Sequence, residues 1–385
     1  MSRLVQRIAI DALGVLPEIS GGGETYVKGI VRGLAAVAPE RRFLLFVTPR
    51  NRRVFEPAPQ NVEFCEVRIN NRFRPWRVLY EQLFLPSRIR AWKADASFFP
   101  LNMMPLTMNR PGDRTVLTIH DASPALYMGQ LRGYGSVLRT RVIAWMEKQS
   151  ALRASQLITV SYFSAKEVSA LTSVREHEIR VVSPGITSLA DEVEGANDLR
   201  PEEPYVLLVG RSNKHKNFDG FIRAFAEARR RFGLRQKVVL AGPRGTAQPD
   251  IERAISESGL NSQVHVLGPV GSPELALLYS SAELFVLPSL YEGFGFPLLE
   301  ALEFGLPCVA TNCCSLPEVG ADAVFYVRPD HQEDMVQALG KLLSNEELRR
   351  DLSQRGRLRA QQFSWEIAAR MLLAICERIS TDVRQ

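Results

Sequence analysis

The chain has 385 residues, a net charge of +6, and 45% hydrophobic against 23% charged residues. That length is too great for one ordinary core and suits two domains, and the composition is that of a soluble globular protein. No apolar run approaches the ~18 residues of a spanning helix, and Arg3, Arg7 and Asp11 interrupt the first 13 residues, so neither a transmembrane anchor nor a secretory signal is expected.

The five cysteines, Cys65, Cys308, Cys313, Cys314 and Cys376, are odd in number and lack zinc-ligand spacing. They read as reduced thiols of a cytoplasmic protein. The charge is unevenly spread. Residues 1–185 carry 26 basic and 15 acidic side chains, and the remainder 22 and 27. The basic first half favours an anionic partner, whether a phospholipid surface, a lipid-diphosphate acceptor or nucleic acid, over a merely solvated arginine-rich face. No nucleic-acid motif accompanies it. The expected location is cytoplasmic, peripheral on the inner face of the membrane.

Short apolar runs alternate with helical patterns from end to end. Strands are expected at Ile8–Ala12, Arg42–Val47, Val62–Val67, Ala96–Phe99, Thr115–Ile119, Leu157–Val160 and Ile179–Val182. A second series follows at Tyr205–Val209, Lys237–Ala241, Val264–Leu267, Leu284–Leu287, Cys308–Ala310 and Ala323–Tyr326. Several runs are continuously apolar, as strands covered on both faces require. Phe218, Phe221, Ile222 and Phe225 recur at helical spacing. Alternating strands and helices imply parallel sheets. The pattern breaks between Ser183 and Pro204. Two α/β domains are therefore expected, 1–185 and 186–363, with the terminal helix 364–385 packing back on the first. Ligands in such sheets sit beyond the carboxyl ends of the strands, so two parallel sheets facing across a cleft would place the chemistry there.

The stretch between residues 68 and 93 fits two readings. Trp76, Leu79, Leu83 and Phe84 among arginines could be core packing or an interfacial helix.

The strongest chemical signal is Glu292-Gly293-Phe294-Gly295-Phe296-Pro297-Leu298-Leu299-Glu300, directly after a strand. The glycines permit a tight turn, Pro297 suits a first helical turn, and a helix start attracts an anion. Glu292 and Glu300 can accept hydrogen bonds from sugar hydroxyls. A second signal, Gly210-Arg211-Ser212-Asn213-Lys214-His215-Lys216, gathers one arginine and two lysines directly after a strand, fixed cations suited to an anion. No Asp-x-Asp metal clamp occurs. A third, Ser20-Gly21-Gly22-Gly23, precedes a helix. A fourth, His120-Asp121, ends a strand.

The string from Glu292 to Glu300 resembles the signature of the retaining glycosyltransferase family 4, which has the two-domain GT-B fold and includes bacterial mannosyltransferases of polysaccharide assembly. The resemblance implies a nucleotide-diphosphate sugar as co-substrate, with no metal and no further cofactor. It gives Glu292 the donor sugar, Glu300 the ribose, and Gly293, Phe294, Gly295 and Leu299 main-chain contacts to sugar and diphosphate. Arg211 and Lys216 would neutralise the diphosphate, with Lys214 a rival for the lysine role. Gly22 and Gly23 would lie near the phosphates and His120 near the reacting carbon. GDP-mannose is the first expectation for the donor and UDP-glucose the second, with a glycan or lipid-linked acceptor. A UDP-amino-sugar epimerase and a non-catalytic sugar-nucleotide binder are the readings from other classes. Same-face attack is the favoured route, since only Asp121 stands near His120 in sequence as a candidate nucleophile.

Overall fold

The computed structural model describes residues 5–17, 21–108, 110–121, 137–189, 197 and 199–381, and for residues 137–140 the backbone alone. Ser20, the stretch 122–136 and most of the acidic stretch 190–198 therefore lie outside the described residues. The chain forms two compact units, residues 1–187 with 363–385, and residues 188–362.

Unit 1 holds a seven-stranded parallel sheet in the order β3-β2-β1-β4-β5-β6-β7. Its strands are β1 (Arg7–Asp11), β2 (Arg42–Val47), β3 (Val62–Glu66), β4 (Ala96–Phe99), β5 (Thr115–Ile119), β6 (Gln156–Thr159) and β7 (Arg180–Val181). The connecting helices are α1 (Gly22–Val37), α2 (Arg74–Leu83), α3 (Leu85–Ala91), α4 (Val137–Arg153) and α5 (Tyr162–Thr172). The continuous apolar runs are buried on both faces: every residue of β4 and β5 is inaccessible.

The last helix, Trp365–Thr381, belongs to unit 1 and packs along α1. Glycines make that approach close. A β-carbon on Gly29 would lie 2.0 Å from the Trp365 ring, and one on Gly185 would lie 2.1 Å from the Trp365 nitrogen. The indole Nε1–H donates to Thr187 Oγ1 at 3.0 Å. A sequence pattern of small residues on α1 thus becomes a seat for one tryptophan.

Unit 2 holds a six-stranded parallel sheet, order β10-β9-β8-β11-β12-β13. The strands are β8 (Tyr205–Val209), β9 (Lys237–Ala241), β10 (Val264–Gly268), β11 (Leu284–Leu287), β12 (Cys308–Thr311) and β13 (Phe325–Val327). The helices are α6 (Phe218–Phe232), α7 (Gln248–Glu257), α8 (Ser272–Ser281), α9 (Phe296–Glu303), α10 (Leu316–Gly320), α11 (Gln332–Ser344) and α12 (Glu346–Ala360). Phe218, Phe221, Ile222 and Phe225 pack one face of α6 into the core with Val206, Leu208 and Val238. Each such buried side chain contributes about 1.5–3 kcal/mol. Gly233 in the left-handed region (φ 65°) ends the helix.

Core packing is the wrong reading for the stripe on α2. Trp76, Leu79, Leu83 and Phe84 are exposed by 60, 44, 60 and 54%. The buried residues of this helix are Arg77 and Glu81 instead. Their side chains meet at 2.7 Å, and this ion pair occupies the inward face that the apolar stripe would otherwise fill.

Candidate functional site

In unit 2 three loops converge at the carboxyl ends of β8, β11 and β12. Gly210 (φ 147°) turns the chain out of β8, and Lys214–Lys216 forms one 3-10 turn closed by Asn217 in the left-handed region. That turn folds Lys216 back across Gly210, whose hypothetical β-carbon would stand 3.5 Å from Lys216 Cε. Lys216 Nζ then lies 2.5 Å from Glu292 Oε1, and the two side chains are only 12% and 11% exposed. The Ser289 hydroxyl donates to the same Oε1 at 2.7 Å. Lys214 points elsewhere: its side chain is 58% exposed, with Nζ 4.0 Å from Asp250 Oδ2. Of the two lysines, Lys216 is the one brought to Glu292.

The loop bearing Glu292 is held from below by the segment after β12. The Ser315 hydroxyl lies 2.8 Å from the Glu292 carbonyl oxygen and 2.9 Å from that of Phe294. Thr311 Oγ1 donates to Ser289 O at 2.5 Å, and the Cys313 thiol donates to the same oxygen at 3.3 Å. These bonds fix the backbone that carries Gly293, Phe294 and Gly295. Leu290 N donates to His215 O at 2.7 Å, tying this loop to the lysine turn.

Gly295 stands at φ 103°, and a β-carbon there would meet Leu316 Cδ2 at 2.8 Å, so only glycine fits. It opens α9 without a side-chain cap. An uncapped helix start carries partial positive charge suited to an anion. Leu298 and Leu299 are fully buried, and both amides close the first turn onto Gly295 O, at 3.0 and 3.2 Å. Leu299 therefore contributes packing, with its N–H already engaged. Phe294 is buried with its ring edge-on to Phe296, centroids 5.1 Å apart.

Glu300, one turn into α9, is half-buried and accepts from the Tyr279 hydroxyl at 2.9 Å. Burial pushes its carboxyl above the ordinary range, and the tyrosine hydrogen bond partly offsets this. Glu292 and Glu300 thus sit with different partners, one on a lysine and one on a phenol. Arg211 donates from Nη1 to Arg244 O at 3.2 Å, on the loop after β9. That loop interlocks with its own: Ser212 N donates to Pro243 O, and Ala247 N to Ser212 O.

In unit 1, Gly22 and Gly23 are the first two residues of α1, behind Gly21 at φ 50°. His120 follows β5. Its Nε2 lies 2.7 Å from Pro100 O, its N–H donates to Asn102 Oδ1 at 2.9 Å, and its carbonyl accepts from Ser164 Oγ at 2.8 Å. The Tyr26 ring stands edge-on at 4.6 Å. Burial lowers the pKa of His120, which keeps the imidazole neutral. With Nε2–H donating to Pro100, Nδ1 is the acceptor in that tautomer.

Sequence reasoning missed Tyr279, Ser289, Thr311, Asn102 and Glu147. Glu147 on α4 is pushed up to about 7 by burial first and then by the charge of Asp121, with Asn102 hydrogen bonding to it in opposition. Asn102 thereby joins Glu147 to the backbone of His120.

Two parallel Rossmann-like sheets in one chain, with polar loops gathered at their carboxyl ends, are the layout of a GT-B glycosyltransferase. Solved structures agree on the fold. A sucrose-phosphate synthase from Thermosynechococcus elongatus matches at TM-score 0.75 and 20% identity, covering 95% of this chain and 97% of that one. WaaG, a glycosyltransferase involved in lipopolysaccharide biosynthesis, matches at TM-score 0.72 and 19% identity, covering 96% and 99%. Residues 20–188 match the model described as Glycosyltransferase Family 4, and residues 190–359 match that described as Glycosyl transferases group 1. The chain belongs to glycosyltransferase family 4. Among curated relatives, O-antigen chain mannosyltransferase B of Escherichia coli is 28% identical over 270 residues, 66% of this chain and 68% of that protein. The MMP alpha-(1->4)-mannosyltransferase of Mycolicibacterium hassiacum is 31% identical over 239 residues, 60% of this chain and 56% of the relative.

Proposed function

We propose that this glycosyltransferase takes mannose from GDP-mannose, with retention at the anomeric carbon and without a metal, and delivers it to a hydroxyl of a glycan or lipid-linked acceptor. The observation that carries this reading is the ion pair of Lys216 with Glu292 beside the uncapped start of α9. A cation, a hydrogen-bonding carboxylate and a positive helix end within one group of loops suit a diphosphate attached to a polyhydroxylated ring. Lys216 and Arg211 would take up the charge of the departing diphosphate. Glu292 would read sugar hydroxyls and Glu300 the ribose. In unit 1, His120 with Nε2–H on Pro100 O keeps Nδ1 as an acceptor, which suits a hydroxyl group. The named mannosyltransferase relatives favour mannose over glucose.

The test is calorimetric titration with GDP-mannose, UDP-glucose and the free diphosphates, followed by turnover in EDTA. Tightest binding of GDP-mannose and EDTA-resistant turnover are expected. Preference for UDP-glucose would overturn the donor, and loss of turnover restored by Mg²⁺ would overturn the metal-free route.

A further inference from the structure

Helix α2 is built the opposite way round from an ordinary surface helix. Its inward side carries Arg77 and Glu81, paired at 2.7 Å and only 10% and 7% exposed. Arg77 lies over the carboxyl end of β1, where a β-carbon on Gly14 would come within 2.8 Å of its Nη1. Its charge also reaches Asp11, the last residue of that strand. The outward side carries Trp76, Leu79 and Leu83 at i, i+3 and i+7, flanked by Phe73 and Phe84. All five are between 44% and 60% exposed. Among the described residues nothing covers this apolar patch, and such a patch on a folded domain marks an interaction surface.

A second stripe stands beside it. Val142, Trp145 and Leu152 on α4 are exposed by 48, 56 and 49%. The two helices flank the same short segment: Gln82 of α2 and Ser150 of α4 both donate to Met104 O, at 3.3 and 3.2 Å.

Charge selects the occupant. Residues 67–93 contain seven basic side chains and one acidic side chain, the buried Glu81. Arg68, Arg72, Arg74 and Arg88 are exposed around the stripe. A second copy of the chain docking face to face would set these arginines against one another, which is repulsive. A surface of lipid phosphates offers opposite charge, with an apolar layer beneath for the aromatic and leucine side chains.

We propose that the outer face of α2, extended by that of α4, docks unit 1 on an anionic phospholipid membrane. This deepens the acceptor part of the proposed function and rests on it only in making that acceptor lipid-linked. Arg77 seats α2 at the carboxyl end of β1, the same end of the sheet from which the loops bearing Gly22 and His120 leave.

The experiment is co-sedimentation of the full chain with vesicles of phosphatidylcholine, with and without phosphatidylglycerol. Binding to the mixed vesicles alone, weakening as salt rises, is expected. The triple variant Trp76→Ser, Leu83→Ser, Phe84→Ser should lose at least about tenfold in partition, because burial of its apolar side chains drives insertion. Its thermal unfolding should change little, since Trp76 and Leu83 face solvent and Phe84 loses only its stacking on the Tyr80 ring. Arg68→Glu with Arg72→Glu should remove the preference for anionic vesicles. Wild-type binding by the triple variant would overturn the proposal. So would a wild-type chain that sediments with neither vesicle, or a wild-type dimer that the triple variant dissolves. Hydrolysis of the nucleotide sugar in solution is followed in parallel. Vesicle binding without any donor turnover would sink the donor reading and leave the docking face standing.

Discussion

Lys216 and Glu292 lie 76 positions apart, yet Nζ of the first stands 2.5 Å from Oε1 of the second. The contact depends on β8 and β11 being neighbours in the sheet, with parallel strands delivering both loops to the same edge. It also holds the lysine in place before any substrate arrives. A cation already oriented where negative charge will develop needs little reorganisation during the reaction.

Replacement of Lys216 by Met should leave the Glu292 carboxylate, 11% exposed, with the Ser289 hydroxyl but without its cation. A loss of about 1–3 kcal/mol in unfolding free energy is expected. Glu292→Gln in the same background should recover part of that loss, with a coupling energy of about 0.5–3 kcal/mol from the double-mutant cycle in urea. Turnover should fall about 100-fold or more in each single variant. Additive stability effects would show that the two side chains do not share an ion pair in solution.

Tyr279→Phe tests the support of Glu300. The phenol donates to the carboxylate at 2.9 Å, and this bond counteracts the upward push of burial. Its removal should raise the Glu300 pKa further and weaken nucleotide binding by roughly tenfold, the loss of about one hydrogen bond to a charged group. The weakening should be greatest at low pH, where more of Glu300 is protonated. Calorimetric titration of the nucleoside diphosphate at two pH values reads both effects. Unchanged affinity would remove Glu300 from the nucleotide site.

Gly29→Ala separates helix propensity from packing. In an exposed helix the change stabilises by about 0.5–1 kcal/mol. Here the new methyl carbon would lie 2.0 Å from the Trp365 ring, which is 6% exposed and hemmed in by α1. The terminal helix would have to shift, at about 1–3 kcal/mol typical of overpacking. A lower urea midpoint is therefore expected. A higher one would mean that the last helix is not seated on α1 as described.

The strands were legible because their chemistry is local. Runs such as Val206–Val209 or Leu284–Leu287 are apolar enough to be buried on both faces, and that alone selects a parallel sheet. The Glu292–Glu300 string was legible for the same reason, since a turn, a helix start and two carboxylates are consecutive. What connects separate segments was not. No periodicity relates Tyr279 to Glu300 or Asn102 to Glu147, because those contacts depend on how neighbouring strands and helices align. The stripe on α2 shows a further limit. Spacing reveals that a helix has an apolar side, whereas the direction that side faces depends on what its other side finds. On α2 the other side finds Gly14 and Asp11, and the arginine turns inward.

That inward arginine makes stability depend on pH. Burial pushes Asp11 up to about 6 and Glu81 up to about 8, while Arg77 favours the ionised forms of both. Arg77 faces both carboxylates and Arg74 acts more weakly on Glu81, yet burial outweighs them, so the folded chain keeps a proton that the unfolded chain releases near the ordinary carboxylate range. A state that binds more protons is favoured at low pH. The folded form is therefore most stabilised by this pair below the unfolded pKa values and loses that advantage as pH rises through about 6 to 8. Glu147 and Glu300 shift in the same direction, so the informative quantity is the difference between wild type and Glu81→Gln. The glutamine cannot ionise, and its urea midpoint should fall less steeply between mildly acidic and mildly alkaline buffer. An equal slope in the two proteins would place the retained proton somewhere other than the Asp11–Arg77–Glu81 cluster.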